Sequence, residues 1–167
     1  MDLDINSIDF SKGDGIVPVI VQDANTKEIL TLAYTNKESL ERALSTGNSW
    51  FWSRSRKKLW MKGEESGNTQ KIKEIKVDCD SDSLIYFVEP SGPACHTGER
   101  TLTTGNSWFW SRSRKKLWMK GEESGNTQKI SKVLVDCDSD ALIYLVKPDG
   151  PACHTGERTC FHNSLKS

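Results

Sequence analysis

The residues best suited to chemistry are five cysteines with a recurring spacing. Cys137, Cys153 and Cys160 lie 16 and 7 residues apart, and Cys79 and Cys95 repeat the first interval. Three thiolates with an open fourth position suit a catalytic zinc ion that holds a water molecule. Zinc would lower the pKa of that water to roughly 7. Small buried core cysteines are the alternative, and the spacing alone does not decide between the two.

Aspartates alternate around two of these cysteines, in the repeated sequence Asp-Cys-Asp-Ser-Asp. In an extended chain alternate carboxylates share one face, and the cysteine points the other way. Carboxylates on one face repel each other unless a hard cation lies among them, and Mg²⁺ is the natural choice. A solvated acidic turn is the alternative. The six aspartates are Asp78, Asp80, Asp82, Asp136, Asp138 and Asp140.

A histidine follows the cysteine in each Cys-His-Thr-Gly sequence, at His96 and His154. A histidine beside a metal-bound thiolate could move protons, because its ordinary pKa lies near 6.5. A histidine that only packs or caps is the alternative.

A further repeated segment combines tryptophans with arginines and lysines. Arginine suits phosphate groups and tryptophan suits a planar base, so the segment could hold a nucleotide. It could also bind single-stranded nucleic acid, or form ordinary strands with solvated charges. The chain has 23 basic and 23 acidic residues, which argues against nucleic acid and against a polybasic membrane anchor. The candidate contacts are Trp52, Arg54, Arg56, Trp110, Arg112 and Arg114.

These motifs occur twice because the chain is internally duplicated. Residues 46–101 match residues 104–159 at 48 of 56 positions, with an offset of 58. Residues 1–45 have no counterpart before the second copy. We therefore divide the chain into a near-complete unit, 1–102, and a truncated copy, 103–167. The joint is too short for a flexible linker, so the halves must pack together or each must pair with another chain.

The elements that position these motifs are mostly antiparallel strands, which predicts an α+β fold. Residues 16–22 are apolar and contain Pro18, which indicates an edge strand, and residues 28–34 complete a hairpin. Asn36 caps a helix over 37–45. Further strands are predicted at 49–53, 58–62, 71–79 and 84–88, and again in the second copy. With no long apolar run and no signal peptide, we expect a cytoplasmic protein with reduced thiols.

The motifs together resemble the phosphoribosyl-AMP cyclohydrolases of histidine biosynthesis. The resemblance rests on W-F-W-S-R-S-R-K-K-L-W-x-K-G-E-x-S-G-N-x-Q, D-C-D-x-D and G-P-A-C-H-T-G-x-x-[ST]-C-F. It covers about residues 15–102 once and 104–162 again. It implies hydrolytic opening of the adenine ring of 1-(5-phosphoribosyl)-AMP, between N1 and C6. Zinc-bound hydroxide would attack C6 while a proton donor assists N1. It also implies magnesium on the Asp-Cys-Asp-x-Asp carboxylates.

The resemblance further implies a dimer whose zinc site is shared between subunits. If the two copies imitate two subunits, Cys79 meets Cys153 and Cys160 in a complete site, with His154 as the proton-transfer candidate. In the reciprocal site, Cys137 and Cys95 meet Leu102 in place of a third cysteine, and His96 is the counterpart histidine. We expect one competent site per chain, in a one-chain pseudo-dimer or a domain-swapped dimer. The alternative is a catalytically impaired zinc-binding scaffold.

Overall fold

Two compact units make up the chain. A computed structural model describes residues 2–92, 108–111, 116–120, 124–135, 139–153 and 155–165. The first unit joins Met1–His96 to Phe161–Ser167, and the second is Thr97–Cys160. The division after residue 102 stays a prediction. Among the described residues, no helix is both long and apolar enough to cross a membrane.

The first unit is built on a six-stranded sheet. Its strands lie in the order β1-β12-β6-β7-β2-β3, with parallel pairing only for β1–β12 and β2–β7. A separate hairpin joins β4 to β5. The bounds are β1 (Asp2–Leu3), β2 (Val17–Asp23), β3 (Ile29–Thr35), β4 (Trp50–Ser53), β5 (Lys58–Met61), β6 (Gln70–Val77), β7 (Leu84–Pro90) and β12 (Asn163–Leu165).

Strand β2 lies inside this sheet, so our prediction of an edge strand is wrong. It pairs with β3 from Val17 onward and with β7 only from Val19 onward. Pro18 therefore precedes the ladder to β7, and its missing N–H takes no bond from that ladder. The β2–β3 hairpin itself is as predicted. At its turn, a carboxylate oxygen of Asp23 accepts the N–H groups of Asn25 and Thr26.

The predicted helix is present as α1, Lys37–Thr46. Asn36 caps its first turn: its side-chain oxygen accepts the Ser39 N–H at 2.9 Å, and the Ser39 hydroxyl accepts the Asn36 N–H at 2.8 Å. Gly47, at φ 70°, ends the helix in the left-handed conformation that glycine adopts without strain. Leu40 and Ala43 face the core. One α-helix with mostly antiparallel strands, in the part of the chain described, confirms the α+β fold.

The core of the first unit collects alternate residues of β2, β6 and β7 together with the inner face of α1. This alternation follows from the two-residue period of a strand with one face buried. Tyr86 and Phe51 are its largest side chains, and their ring centroids lie 5.9 Å apart. The buried apolar cluster comprises Ile8, Val17, Val19, Val21, Leu40, Ala43, Phe51, Ile75, Val77, Leu84, Tyr86, Val88 and Leu165.

The second unit contains two hairpins, each formed by one strand pair. The strands are β8 (Trp108–Ser111), β9 (Lys116–Met119), β10 (Gln128–Val135) and β11 (Leu142–Pro148). β8 pairs with β9, and β10 pairs with β11, both antiparallel. The strands predicted for the second copy are therefore present.

Strands β1 and β12 were not predicted from the sequence. Each is two or three residues long and carries too few residues to show a periodicity. They form because β12 pairs with β6, with Asn163 opposite Val77, and β1 then pairs with β12. The end of the chain thus completes the sheet of the first unit.

Candidate functional site

The acidic loop, residues 78–83, joins β6 to β7 and gathers three carboxylates. Asp78 is 8% exposed, and one of its oxygens accepts the N–H groups of Asp82 at 3.0 Å and Ser83 at 3.1 Å. Ser81, at φ 62°, turns the chain. One oxygen from each of Asp78, Asp80 and Asp82 lies within 4.8 Å of the others. A tight turn brings the carboxylates together, so of the two alternatives that the sequence left open, an extended face and an acidic turn, the structure has the turn.

Lys12 lies against the outer side of this loop. Its ammonium group is 3.0 Å from a carboxylate oxygen of Asp80 and 3.2 Å from one of Asp82. It also donates to the backbone carbonyl of Asp80 at 3.0 Å. The Asp9 N–H donates to the Ser81 carbonyl at 2.7 Å, which holds the Lys12 segment beside the loop. A positive charge therefore already lies where a hard cation would be favoured.

The pKa values of Asp78 and Asp80 in the acidic loop are shifted in opposite directions. Burial, followed by the hydrogen bond with Asp80 and the negative charge of Asp82, raises the pKa of Asp78 to about 7. Burial also acts to raise the pKa of Asp80, but hydrogen bonds from Lys12 and Asp78 lower it overall. Crowded carboxylates whose charges repel are stabilised by a bound cation, which would reverse the shift at Asp78.

Cys79 is the second residue of the acidic loop and is partly buried. Strand β12 runs antiparallel beside β6, with Asn163 opposite Val77. Residues 161 and 162, just before β12, therefore leave the ladder at the same end as the acidic loop. This placement comes from strand pairing between segments about 85 residues apart, which no local pattern indicates.

The second unit holds Cys153 in a tight turn. Cys153 is 5% exposed; its N–H donates to the Glu157 carbonyl, and its own carbonyl accepts the Gly156 N–H, both at 3.2 Å. Gly156 has φ 87°, a conformation that strains other residues. The Thr155 hydroxyl donates to the Cys153 sulfur at 3.1 Å. A hydrogen bond to the charged form favours a thiolate.

In the first unit, the aspartates 78, 80 and 82 could hold a metal ion, and Cys79 lies between two of them in sequence. In the second unit, the sulfur atoms of Cys153 and Cys160 lie within 4.8 Å of each other. The three cysteines are not joined in disulfides. The donor atoms of the cysteines and of the aspartates differ in kind, because thiolates select soft or borderline metals and carboxylates select hard ones. The two kinds of donor therefore suit different classes of cation.

The candidate contacts for a nucleotide lie on β4 and the turn after it. Arg54 is exposed, and its guanidinium carbon lies 3.9 Å from the ring centroid of Tyr34. The Nε of Arg56 donates to the Ser53 hydroxyl at 3.4 Å, and Trp52 is partly buried. The planar guanidinium group of arginine matches the geometry of phosphate oxygens. The roles of these three residues stay predictions.

The roles of the remaining candidate residues stay predictions, and most of these residues lie outside the described part of the chain. Asp140 is described and exposed, beside Ser139 at the β10–β11 turn. Trp110 belongs to β8, and its side chain is not described. The candidates outside the described residues are Cys95, Cys137, His96, His154, Arg112, Arg114, Asp136 and Asp138.

Lys12 and Tyr34 were not among the residues predicted to have a functional role. Lys12 meets Asp80 across 68 positions of sequence, and Tyr34 meets Arg54 across 20. No motif surrounds either residue. Only an enrichment of charge at residues 78–82 hinted that a cation of some kind belonged nearby.

Comparison with known proteins identifies relatives of both copies. The sequence model of the phosphoribosyl-AMP cyclohydrolase family matches residues 31–102 and again 98–162. The phosphoribosyl-AMP cyclohydrolase of Nitrosopumilus maritimus is 77% identical over 100 residues, which cover 60% of this chain and 93% of that protein. The enzyme of the same name from Cenarchaeum symbiosum is 73% identical with the same coverage. The histidine biosynthesis bifunctional protein HisIE of Bacillus subtilis is 63% identical over 91 residues, 54% of this chain and 44% of that protein.

Proposed function

We propose, because the chain belongs to the phosphoribosyl-AMP cyclohydrolase family, that it hydrolyses the N1–C6 bond of the adenine ring of 1-(5-phosphoribosyl)-AMP in histidine biosynthesis. The observation that carries the proposal is the double family match, together with the carboxylate group of the acidic loop, which could hold a metal ion. Ribosylation of N1 makes the neighbouring ring carbon C6, which also carries the amino nitrogen, electrophilic. Water is then the only co-reactant required.

The proposal includes zinc on Cys79, Cys153 and Cys160. Three thiolates that leave a fourth position open are the pattern of a catalytic zinc site. Zinc bound there would supply the nucleophile by lowering the pKa of a water molecule to roughly 7. The Thr155 hydroxyl supports the thiolate form of Cys153, and the burial of that sulfur keeps competing water away from the ligand.

The chain's other residues would bind and orient the substrate. We assign magnesium to Asp78, Asp80 and Asp82, because hard carboxylate oxygens suit this ion and the ion suits phosphate. Arg54 and Arg56 would contact phosphate, and the same roles fall to Arg112 and Arg114 of the second copy. Trp52 and Trp110 would stack on the base.

Proton transfer to N1 is assigned to His154, which adjoins Cys153 in sequence. A neutral imidazole near pH 7 can both accept and donate a proton. His96 would be its counterpart at the reciprocal site. That site would have Cys95, Cys137 and Leu102, so it lacks the third thiolate and should bind zinc poorly.

The experiment compares Cys160→Ala with Cys95→Ala, two identical changes at different predicted sites. Zinc per chain is measured by elemental mass spectrometry after exhaustive dialysis. Turnover is followed by the ultraviolet change of ring opening. We expect Cys160→Ala to lose both zinc and turnover, and Cys95→Ala to keep both. Equal losses in the two variants would refute the asymmetric assignment. Zinc retention without turnover in the unmodified chain would instead favour the impaired scaffold.

Self-association is part of the proposal, because the resemblance implies a shared zinc site. Native mass spectrometry of the zinc-replete chain reports chains per particle and zinc per chain together. One chain with about one zinc would support a pseudo-dimer, and two chains would support a swapped dimer. A zinc-free single chain would contradict both assemblies.

A further inference from the structure

Strand β11 of the second unit exposes apolar residues whose counterparts are buried in the first unit. Leu142 is 56% exposed, and its counterpart in β7, Leu84, is fully buried. Tyr144 is partly buried where Tyr86 is fully buried, and Val146 is partly buried where Val88 is fully buried. Large apolar side chains left exposed on a regular strand indicate a missing partner.

The partner in the first unit is the N-terminal segment, residues 17–46, which forms β2, β3 and α1. β2 pairs in parallel with β7, with Val19 opposite Leu84 and Val21 opposite Tyr86. Leu40 of α1 belongs to the same buried cluster. This segment occurs once in the chain, whereas the hairpin that it covers occurs twice.

The two hairpins are interchangeable in shape. Gln70 pairs with Pro90 and Gln128 with Pro148, and both ladders carry a bulge two residues further on. The turn serines of both hairpins have φ 62°. The Phe51–Tyr86 rings and the Phe109–Tyr144 rings both have centroids 5.9 Å apart. The β10–β11 hairpin therefore already has the form that the N-terminal segment recognises.

The two copies also contain almost the same apolar residues at the positions that are buried in the first unit. Five of six buried apolar residues that the first copy contributes from β4, β6 and β7 are identical in the second copy, and the sixth is Ile75, which becomes Val133. We propose that the N-terminal segment has two alternative docking places in the chain, β7 in the first copy and β11 in the second, and that the chain exchanges between these two pairings. The copy that does not pair with the N-terminal segment then forms a 58-residue insertion in the chain.

The two pairings should differ little in free energy. In the observed pairing, residues 91–162 connect β7 to β12; in the alternative, residues 47–107 would connect α1 to β8. Loop closure costs nearly the same for connections of such similar length. The Ile-to-Val difference disfavours the alternative by roughly two- to tenfold. The Lys73–Glu89 ion pair, which the second copy lacks, is exposed and adds little. The observed pairing should dominate, with the alternative as a minor population.

The inference rests on the duplication and on burial, and it holds whether or not the chain is a cyclohydrolase. It differs from a swapped dimer, because the exchange takes place within one chain and does not depend on concentration. A ligand that binds the residues of one copy more tightly would shift the population toward that pairing.

The test introduces a charge at the same position of each hairpin. Leu84→Asp places a carboxylate in the buried core of the observed pairing, and Leu142→Asp places one at an exposed position. The double variant blocks both pairings. Hydrogen exchange with mass spectrometry distinguishes the copies, because residues 73–89 and 131–147 differ at seven positions. Circular dichroism reports whether the chain stays folded.

We expect Leu142→Asp to leave the protection of residues 73–89 unchanged. In Leu84→Asp, protection should move to residues 131–147 and reach the level that 73–89 has in the unmodified chain. The double variant should unfold. If Leu84→Asp unfolds as completely as the double variant, or folds with protection still at 73–89, the proposal is wrong. Repeating the measurement at tenfold dilution separates exchange within a chain from exchange between chains.

Discussion

Leu40→Ala should destabilise the first unit more than alanine at any other position of α1. Leu40 is fully buried, in one cluster with the apolar residues of β2 and β7. Removing its three outer carbons leaves a cavity lined by strands that are held in register by their hydrogen bonds. The helix occurs once in the chain and takes part in both proposed pairings, so no duplicate can replace it.

The magnitude follows from burial and unit size. A fully buried Leu→Ala change costs about 2–5 kcal/mol, and we take about 3 kcal/mol because the site lies at a helix–sheet contact that can relax partly. The first unit spans residues 1–96 and 161–167. For a unit of that size, 1 kcal/mol shifts Tm by about 4–8 °C. We therefore expect Tm to fall by about 12–24 °C.

Urea unfolding followed by tryptophan fluorescence and by far-ultraviolet circular dichroism measures this loss. With a slope of about 1–3 kcal/mol per molar urea, the midpoint should fall by about 1–3 M. Glu41→Ala, on the exposed face of the same helix, is the control and should stay within about 0.5 kcal/mol of the unmodified chain. A loss below about 1 kcal/mol for Leu40→Ala would refute the placement of α1 against this core.

Two further predictions concern charge. Hydrogen bonds from the backbone N–H groups of Thr26 and Asn25 lower the pKa of Asp23, so its stabilising effect is complete above the unfolded pKa of about 3.9 and is lost as pH falls through the lower folded value. In thermal melts from neutral to acid pH, the Tm of Asp23→Asn should therefore fall less than the Tm of the unmodified chain. An equal fall in Tm for the two proteins would contradict this. Lys12→Met removes the ammonium group that contacts the acidic loop, so calorimetric titration with Mn²⁺ should show several-fold tighter binding. Lys73→Met makes the same charge change beside Glu89 and should leave the affinity unaltered; equal effects of the two variants would rule out competition at the loop.

Local patterns were enough to predict the hairpins and the helix. The β10–β11 hairpin has the register of β6–β7 although the N-terminal segment covers only the latter. Alternation of apolar residues and a suitable turn therefore specify a hairpin on their own. The Asn36 cap and Gly47 likewise fix α1 from adjacent residues. The order of motifs predicted the family, because a long series of specific residues identifies a family even when its fold is not known.

Contacts between segments that are distant in the chain could not be predicted from the sequence. Pro18 predicted an edge, but parallel pairing begins one residue later and places β2 inside the sheet. Alternating aspartates were compatible with an extended face or with an acidic turn, and the structure shows that Ser81 turns the chain and the carboxylates meet around a loop. Lys12 reaches that loop across 68 positions. Such pairings depend on the burial of whole surfaces, which no short window of sequence contains.

The duplication and the cysteine and aspartate motifs are visible in the sequence, and the hairpins and the capped helix were predicted from it, because each hairpin and the helix depend on residues close together in the chain. The copy that the N-terminal segment covers, and the place where β12 completes the sheet, became known only from the folded chain. Two similar hairpins compete for one covering segment, and the local pattern of each predicts the same hairpin. The choice depends chiefly on how Ile75 or its counterpart Val133 packs in the core, and that packing exists only once the chain is folded.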